Sequence, residues 1–304
     1  MKRAGAKKSA EESAESGTTV ELTGTEEREV KKRTALRPEV VFETVRREGD
    51  SELNRTAPAL AFSAFAAGLS MGFSMIVPGF LHAALPAAPW RVLVENLGYT
   101  AGFIIVVLGR QQLFTENTVT AILPLLDATR KFGIFLKVCR LWSIVLCGNL
   151  LGAAVIAVVL AHTSTFDPNV KDAFQTLGLE TLAPSFGAIL LKGIFAGWLI
   201  ALMVWLLPAA GPQKLPVVLL ITYLVGVLGL SHVIAGSVEG IYVVTAGAVS
   251  LQTYLAHFLL PVFIGNVIGG VLLVSLLNYG QVVPDINETP EKPKIPAPPS
   301  SEER

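Results

Sequence analysis

His232 is one of only four histidines in this chain of 304 residues. It stands in Ser231-His232-Val233-Ile234-Ala235-Gly236-Ser237, where an apolar run would otherwise continue as a membrane helix. Ionisable side chains inside hydrocarbon are costly and read as functional by default. Imidazole, with an ordinary pKa of about 6.5, is the side chain suited to giving a proton near neutral pH. A second apolar run is broken by Gly109-Arg110-Gln111-Gln112-Leu113-Phe114-Thr115-Glu116-Asn117. Its Thr115 hydroxyl has the chemistry to orient and polarise an imidazole through one hydrogen bond. The pairing suits a small anion. Stripping water from a carboxylate costs many kcal/mol, so the anion needs either fixed positive potential or a proton. Half-helices whose N-termini point at the midplane supply the first, and histidine supplies the second.

The elements that position these residues are repeated. Gly148-Asn149-Leu150-Leu151-Gly152-Ala153 follows the Thr115 interruption, and Gly265-Asn266-Val267-Ile268-Gly269-Gly270 follows the His232 interruption. One spacing of 117 residues separates Asn149 from Asn266 and Thr115 from His232. Thr115 and His232 are therefore expected at equivalent places in two halves of a duplicated unit. Broken spans at corresponding positions mark a transport site near the midplane. Length and apolarity give six spans, near 57–85, from 92 with a break at Gly109, 136–161, 185–207, from 216 with a break at Ser231, and 254–278. Irregular backbone at that depth must line a cavity or be shielded by protein. Three spans per half, an odd number, insert the halves in opposite orientations as an inverted repeat. Arg130, Lys131, Lys137, Arg140 and Lys214 fall on one side and Arg91 and Lys171 on the other. With the basic N-terminal tail, this places both termini in the cytoplasm.

Composition agrees. The chain is 52% hydrophobic and 16% charged, against roughly 25% charged in soluble domains. A net charge of zero argues against nucleic acid as a partner. Three regions follow: a polar tail over 1–55, a transmembrane domain over 56–280, and a Pro/Glu/Lys-rich tail over 281–304, both tails read as disordered for the most part. Val40, Val41 and Val45 after Pro38 predict a short amphipathic helix near 38–52. No apolar segment before residue 57 reads as a cleavable signal. Cys139 and Cys147 lie two turns apart on one helix, roughly 12 Å, too far for a disulfide, and read as buried thiols. The sequence has no metal-spaced Cys/His cluster, nucleophile–base pair or phosphate-binding glycine loop, which argues against a cofactor and against an enzyme.

Leu113-Phe114-Thr115, Ser231-His232-Val233-Ile234-Ala235, Lys192-Gly193-Ile194 with Trp198-Leu199, and Gly265-Asn266-Val267-Ile268-Gly269-Gly270 occur in an order and spacing that resemble the formate/nitrite transporter family, most closely its bacterial inner-membrane branch. The resemblance covers roughly residues 57–280. It implies an all-α, aquaporin-like membrane fold of six transmembrane helices in two inverted three-helix repeats, with helices two and five broken, assembled as a homopentamer with one pore per protomer. It implies passage of small monovalent anions or their conjugate acids. Residue by residue, His232 matches the central pore histidine and Thr115 the loop threonine facing it. Leu113 and Phe114 match apolar loop residues at one constriction, and Phe103 and Tyr99 the apolar positions on span two. Lys192 matches a basic residue that draws anions in, and Val225 stands where some members carry a bulky aromatic.

Plainer roles compete with several of these. Thr115 also suits a helix N-cap, Phe103 and Tyr99 suit a lipid or subunit face, and Lys192 suits a snorkelling span end. His82, His162 and His257 read as interfacial. Gly68, Gly72, Gly148, Gly152, Gly265 and Gly269 read as close-packing positions. Ser231, Gly236 and Gly197 depart from the more polar residues of formate-type members, which bears on the substrate. Arg110 and Glu116 are expected to form an ion pair holding the loop shut. The function expected is a channel or transporter for a small anion; the alternative is a non-conducting membrane sensor or scaffold that kept the fold.

Overall fold

Pro38 opens the first helix, α1 (Pro38–Leu53), in the computed structural model, which describes residues 23–26, 36–128 and 131–288. Its Val41, Val45, Gly49 and Leu53, spaced by four, face inward with Phe42, the stripe of an amphipathic helix. Among the described residues all regular structure is helical. Five stretches are long and apolar enough to cross a membrane: Ala57–Ala84, Arg91–Leu108, Lys131–His162, Phe186–Val227 and Leu251–Val282. The first comprises α2 (Ala57–Met71) and α3 (Phe73–Ala84). The second is α4 (Arg91–Leu108), which stops and resumes as the short α5 (Phe114–Thr120) and α6 (Ile122–Asp127). The third is α7 (Lys131–His162). A surface helix, α8 (Pro168–Leu182), precedes the fourth stretch, which is two helices, α9 (Phe186–Ala210) and α10 (Lys214–Val227). Gly211, at φ +51, turns the chain between them, a conformation that favours glycine. α10 stops at Val227, and α11 (Ala235–Thr245) resumes after seven irregular residues.

The last stretch runs through α12 (Leu251–Thr253), a π segment (Tyr254–Leu259), α13 (Leu260–Ile268), a second π segment (Gly269–Leu276) and α14 (Leu277–Glu288). Helix therefore continues past the expected tail boundary at 281. Val282 is buried in a cluster with Phe42, Val45, Val119 and Leu123, so α1 supplies the apolar cover that a polar tail lacks. Most of the expected N-terminal tail, and the C-terminal tail from 289, lie outside the described residues. Both cysteines are free and exposed on the single chain, not buried, because their positions on α7 face outward.

Helix pairs pack where small residues let backbones touch. At Gly68 on α2 an added methyl group would overlap Asn149 and Gly152 of α7; at Gly269 it would overlap Ile194 and Gly197 of α9. Both crossings follow the small-xxx-small pattern of membrane helices.

Two buried asparagines tie these crossings to the interruptions. Asn149 Oδ1 accepts from the Phe114 N–H at 2.9 Å. Its Nδ2 donates to the Ala64 carbonyl at 2.8 Å and the Gln112 carbonyl at 2.9 Å. Asn266 repeats the set, accepting from the Val233 N–H at 2.9 Å and donating to Gly193 at 2.8 Å and Ser231 at 2.9 Å. Each amide satisfies two backbone groups that a broken helix strands in apolar surroundings, and ties them to a carbonyl of a neighbouring continuous helix. These bonds also correct the register. Gln112 and Phe114 correspond to Ser231 and Val233, so the counterpart of His232 is Leu113, and Thr115 corresponds to Ile234. The 117 spacing holds for the asparagines; the loops are displaced by two residues, because the chain between interruption and asparagine differs in length.

Candidate functional site

The displaced register brings Thr115 and His232 face to face. Thr115 is the second residue of α5, whose cap position is Leu113 and not Thr115, and His232 precedes α11 by three residues. His232 Nε2 lies 2.8 Å from Thr115 Oγ1. On the other side of the ring, Nδ1 accepts from the backbone N–H groups of Ile234 at 3.3 Å and Ala235 at 3.2 Å. Two donors aimed at Nδ1 mark it as the unprotonated nitrogen, so Nε2 carries the hydrogen and donates to Thr115, a tautomer assigned from its partners. The Phe103 ring meets the imidazole edge to face at 4.9 Å, and Tyr99 packs on Phe103 at 5.4 Å.

These residues form a septum between two cavities. A cavity of about 310 Å³ on one side is lined by His232, Ser231, Tyr99, Lys192, Glu239 and Phe258, among others. One of about 660 Å³ lies on the α1 side, lined by Val107, Gln112, Glu116, Arg110, Glu48 and Glu52, among others. Tyr99 and Val107 are eight residues apart on α4, roughly 12 Å, and Phe103, fully buried, lies midway. Leu113 and Thr115 are fully buried too. Phe103, Leu113 and the Thr115–His232 bond thus lie between the residues that line the two cavities.

The expected site residues divide. His232, Thr115, Phe103, Tyr99 and Leu113 meet at the septum or its edge. Lys192 reaches the His232-side cavity, its Nζ beside Gly229. Val225 is buried, and its carbonyl accepts from the Leu230 N–H at 3.0 Å, closing α10. The Phe114 ring turns away to pack against Trp142 at 5.6 Å and Phe263 at 5.4 Å. The expected Arg110–Glu116 ion pair does not form. Arg110, at the left-handed φ of 56, reverses the chain after α4, and its guanidinium pairs with Glu48 of α1. Glu116 Oε1 is buried without a hydrogen-bond partner.

Glu52 was not legible as a site residue, because nothing in the sequence folds α1 back onto the interruption. Its carboxylate accepts from Gln112 Nε2 at 3.1 Å, Asn117 Nδ2 at 3.1 Å and Thr120 Oγ1 at 2.5 Å. Burial pushes the Glu52 carboxyl above its ordinary range; the Thr120 and Gln112 bonds and Arg110 oppose this, and Glu48 adds to it. A folded-state pKa raised above the unfolded value stabilises the docked helix fully at low pH and loses that contribution as pH rises through the raised pKa. Amide exchange in α1, corrected for the intrinsic rate, is expected to quicken across that range. Glu52→Gln is expected to flatten the dependence; an unchanged dependence in this variant would assign it to another group. α8 was missed as well, although Asp167-Pro168 is a helix-start signal, and it walls the His232-side cavity with Thr181 and Glu180. Among the described residues no His/Cys/Asp/Glu group is arranged to hold a metal ion.

Comparison with known proteins places this geometry. A family model described as formate/nitrite transporter matches residues 39–280. "Inner membrane protein YfdC" of Escherichia coli K12 is 40% identical over 247 residues, covering 81% of this chain and 79% of that protein. "Formate channel BtFdhC" of Bacillus thuringiensis is 28% identical over 258 residues, covering 80% of this chain and 94% of its own. Two solved structures share the fold. A pentameric formate channel with formate bound aligns with a TM-score of 0.63 at 20% identity, over 75% of this chain and 98% of that one. An FNT family ion channel aligns with a TM-score of 0.70 at 19% identity, over 79% and 98%. The fold is thus the aquaporin-like arrangement of these channels, and the chain, a membrane transporter and not an enzyme, belongs to the formate/nitrite transporter family.

Proposed function

We propose that this protein passes small monovalent anions, or their conjugate acids, across a bacterial inner membrane as a homopentamer with one pore in each protomer. The observation that carries the reading is the Thr115–His232 bond, set in an apolar septum between two cavities that carry charged side chains. The pentamer and the inner membrane rest on likeness to the formate channel and to YfdC. The α1 side faces the cytoplasm in this reading, in keeping with the basic loops. An anion reaching His232 meets an Nε2–H donor in place of the Thr115 hydroxyl. It also meets the partial positive charge at the start of α11. The sequence reading casts His232 as proton source. The Nδ1 contacts give it a narrower part: the ring presents one N–H, and a second proton on Nδ1 would face two N–H donors.

Purified protein in liposomes tests the reading. Saturable uptake of formate, nitrite, hydrosulfide, acetate or lactate above protein-free vesicles is expected for at least one of the five. Uptake of none, by folded protein, would overturn it.

A further inference from the structure

Lys192 is a free cation on the wall of the His232-side cavity, but Glu180 and Glu239 line the same space. Glu95, also on the wall, is paired with Arg91, whose Nε lies 2.9 Å away. With Glu239 protonated, a monoanion approaching His232 from this side meets the Lys192 ammonium, with only Glu180 at the rim against it. The apolar septum beyond admits the neutral acid at far lower cost than the anion. The imidazole at the cavity floor has Nδ1 committed to backbone donors, so the proton that neutralises the anion needs another holder.

Glu239 has the placement for this. It sits in the second turn of α11, seven residues after His232, half-buried, and opens on the cavity that His232 and Lys192 share. One of its oxygens accepts from Thr181 Oγ1 at 2.5 Å, which fixes the carboxyl against α8. The groups that face it are few. α8 contributes Glu180 and Thr181, α4 contributes Tyr99 and Glu95, α9 contributes Lys192, and the last span contributes the apolar Phe258. Glu180, by contrast, is exposed at the rim.

We propose that Glu239 is the proton-exchange carboxyl of this cavity, protonating the substrate anion before it crosses the septum as the neutral acid. The inference rests on the transport reading above. In the step, the O–H bond of the Glu239 carboxyl breaks and an O–H bond forms on the substrate carboxylate. The neutral acid then moves past His232, and the remaining Glu239 carboxylate takes a proton from the bulk solution on its own side. Substrates are weak acids whose neutral form is within reach; anions of strong acids are excluded.

Formate is the probe, in proteoliposomes at pH 5 and pH 7. The neutral acid is about a hundredfold more abundant at the lower pH, so bulk solution supplies there the proton that Glu239 supplies at pH 7. Glu239→Gln is expected to slow initial uptake about tenfold or more at pH 7 and less than about threefold at pH 5, since a positioned proton donor is worth roughly a hundredfold or more in rate. Glu239→Asp is expected to restore most of the pH 7 rate. Glu180→Gln, which removes the other carboxyl of the cavity, is expected to leave the ratio of the two rates as in the wild type. An equal deficit at both pH values, no deficit, or the same pattern in Glu180→Gln would overturn the role of Glu239. Wild-type vesicles that take up no formate at either pH, nor any of the other four substrates, would overturn the transport reading and this inference with it.

Discussion

Asn266→Leu is expected to abolish the folded oligomer, or to lower its thermal midpoint by about 10 °C or more. The side chain is fully buried and holds the Val233 N–H and the carbonyls of Gly193 and Ser231. Leucine has similar volume and offers no hydrogen bond. The Val233 N–H and the Ser231 carbonyl, both in the interruption, are left without partners, each at about 1–3 kcal/mol and more where water is absent. A loss on the order of 5 kcal/mol converts to roughly 10–20 °C for a chain of this size. Asn149→Leu is expected to behave alike, since its three bonds are of the same kind. Size-exclusion chromatography with a thermal melt in detergent checks both. A monodisperse Asn266→Leu protein melting within a few degrees of the wild type would mean that water or a side-chain shift replaces the amide.

How far the sequence carries can be judged at these same residues. The repeated Gly-Asn motif was legible because identical residues recur at one spacing. Its glycines read correctly as close-packing positions, since small-xxx-small needs nothing beyond helix geometry. The asparagine's work was not legible, because a side chain that bonds two carbonyls and one N–H on other segments leaves no periodic trace. The two-residue slip had the same origin. A spacing counts residues, and only hydrogen bonds show that Leu113, not Thr115, is the counterpart of His232. The apolar spans were plain from length and hydropathy. The partners of charged side chains were not: Arg110 and Glu116, near in sequence, read as a pair, yet a left-handed turn sends Arg110 to Glu48 on α1. Glu239 was passed over because a glutamate in an apolar helix says nothing of the cavity it opens on.

His232→Leu carries the other large expected effect, a loss of uptake of roughly tenfold to a hundredfold. Leucine removes the only N–H that the imidazole presents to the septum, and a hydrogen bond to a charged group is worth about 1.5–3 kcal/mol. It leaves the Ile234 and Ala235 N–H groups without their acceptor, so the variant is to be matched with the wild type for oligomer size and melting. His232→Asn, whose side-chain oxygen can still accept from those groups, keeps the comparison open if leucine unfolds the loop. The most direct measurement is initial uptake of whichever of formate, nitrite, hydrosulfide, acetate or lactate the wild type carries best, at equal reconstituted protein, by wild type, His232→Leu and His232→Asn. Uptake is expected in the wild type and at least a tenfold loss in both folded variants. Equal uptake by all three would contradict a path through the Thr115–His232 septum. No uptake of any of the five by the folded wild type would contradict transport and favour a sensor or scaffold built on the same fold.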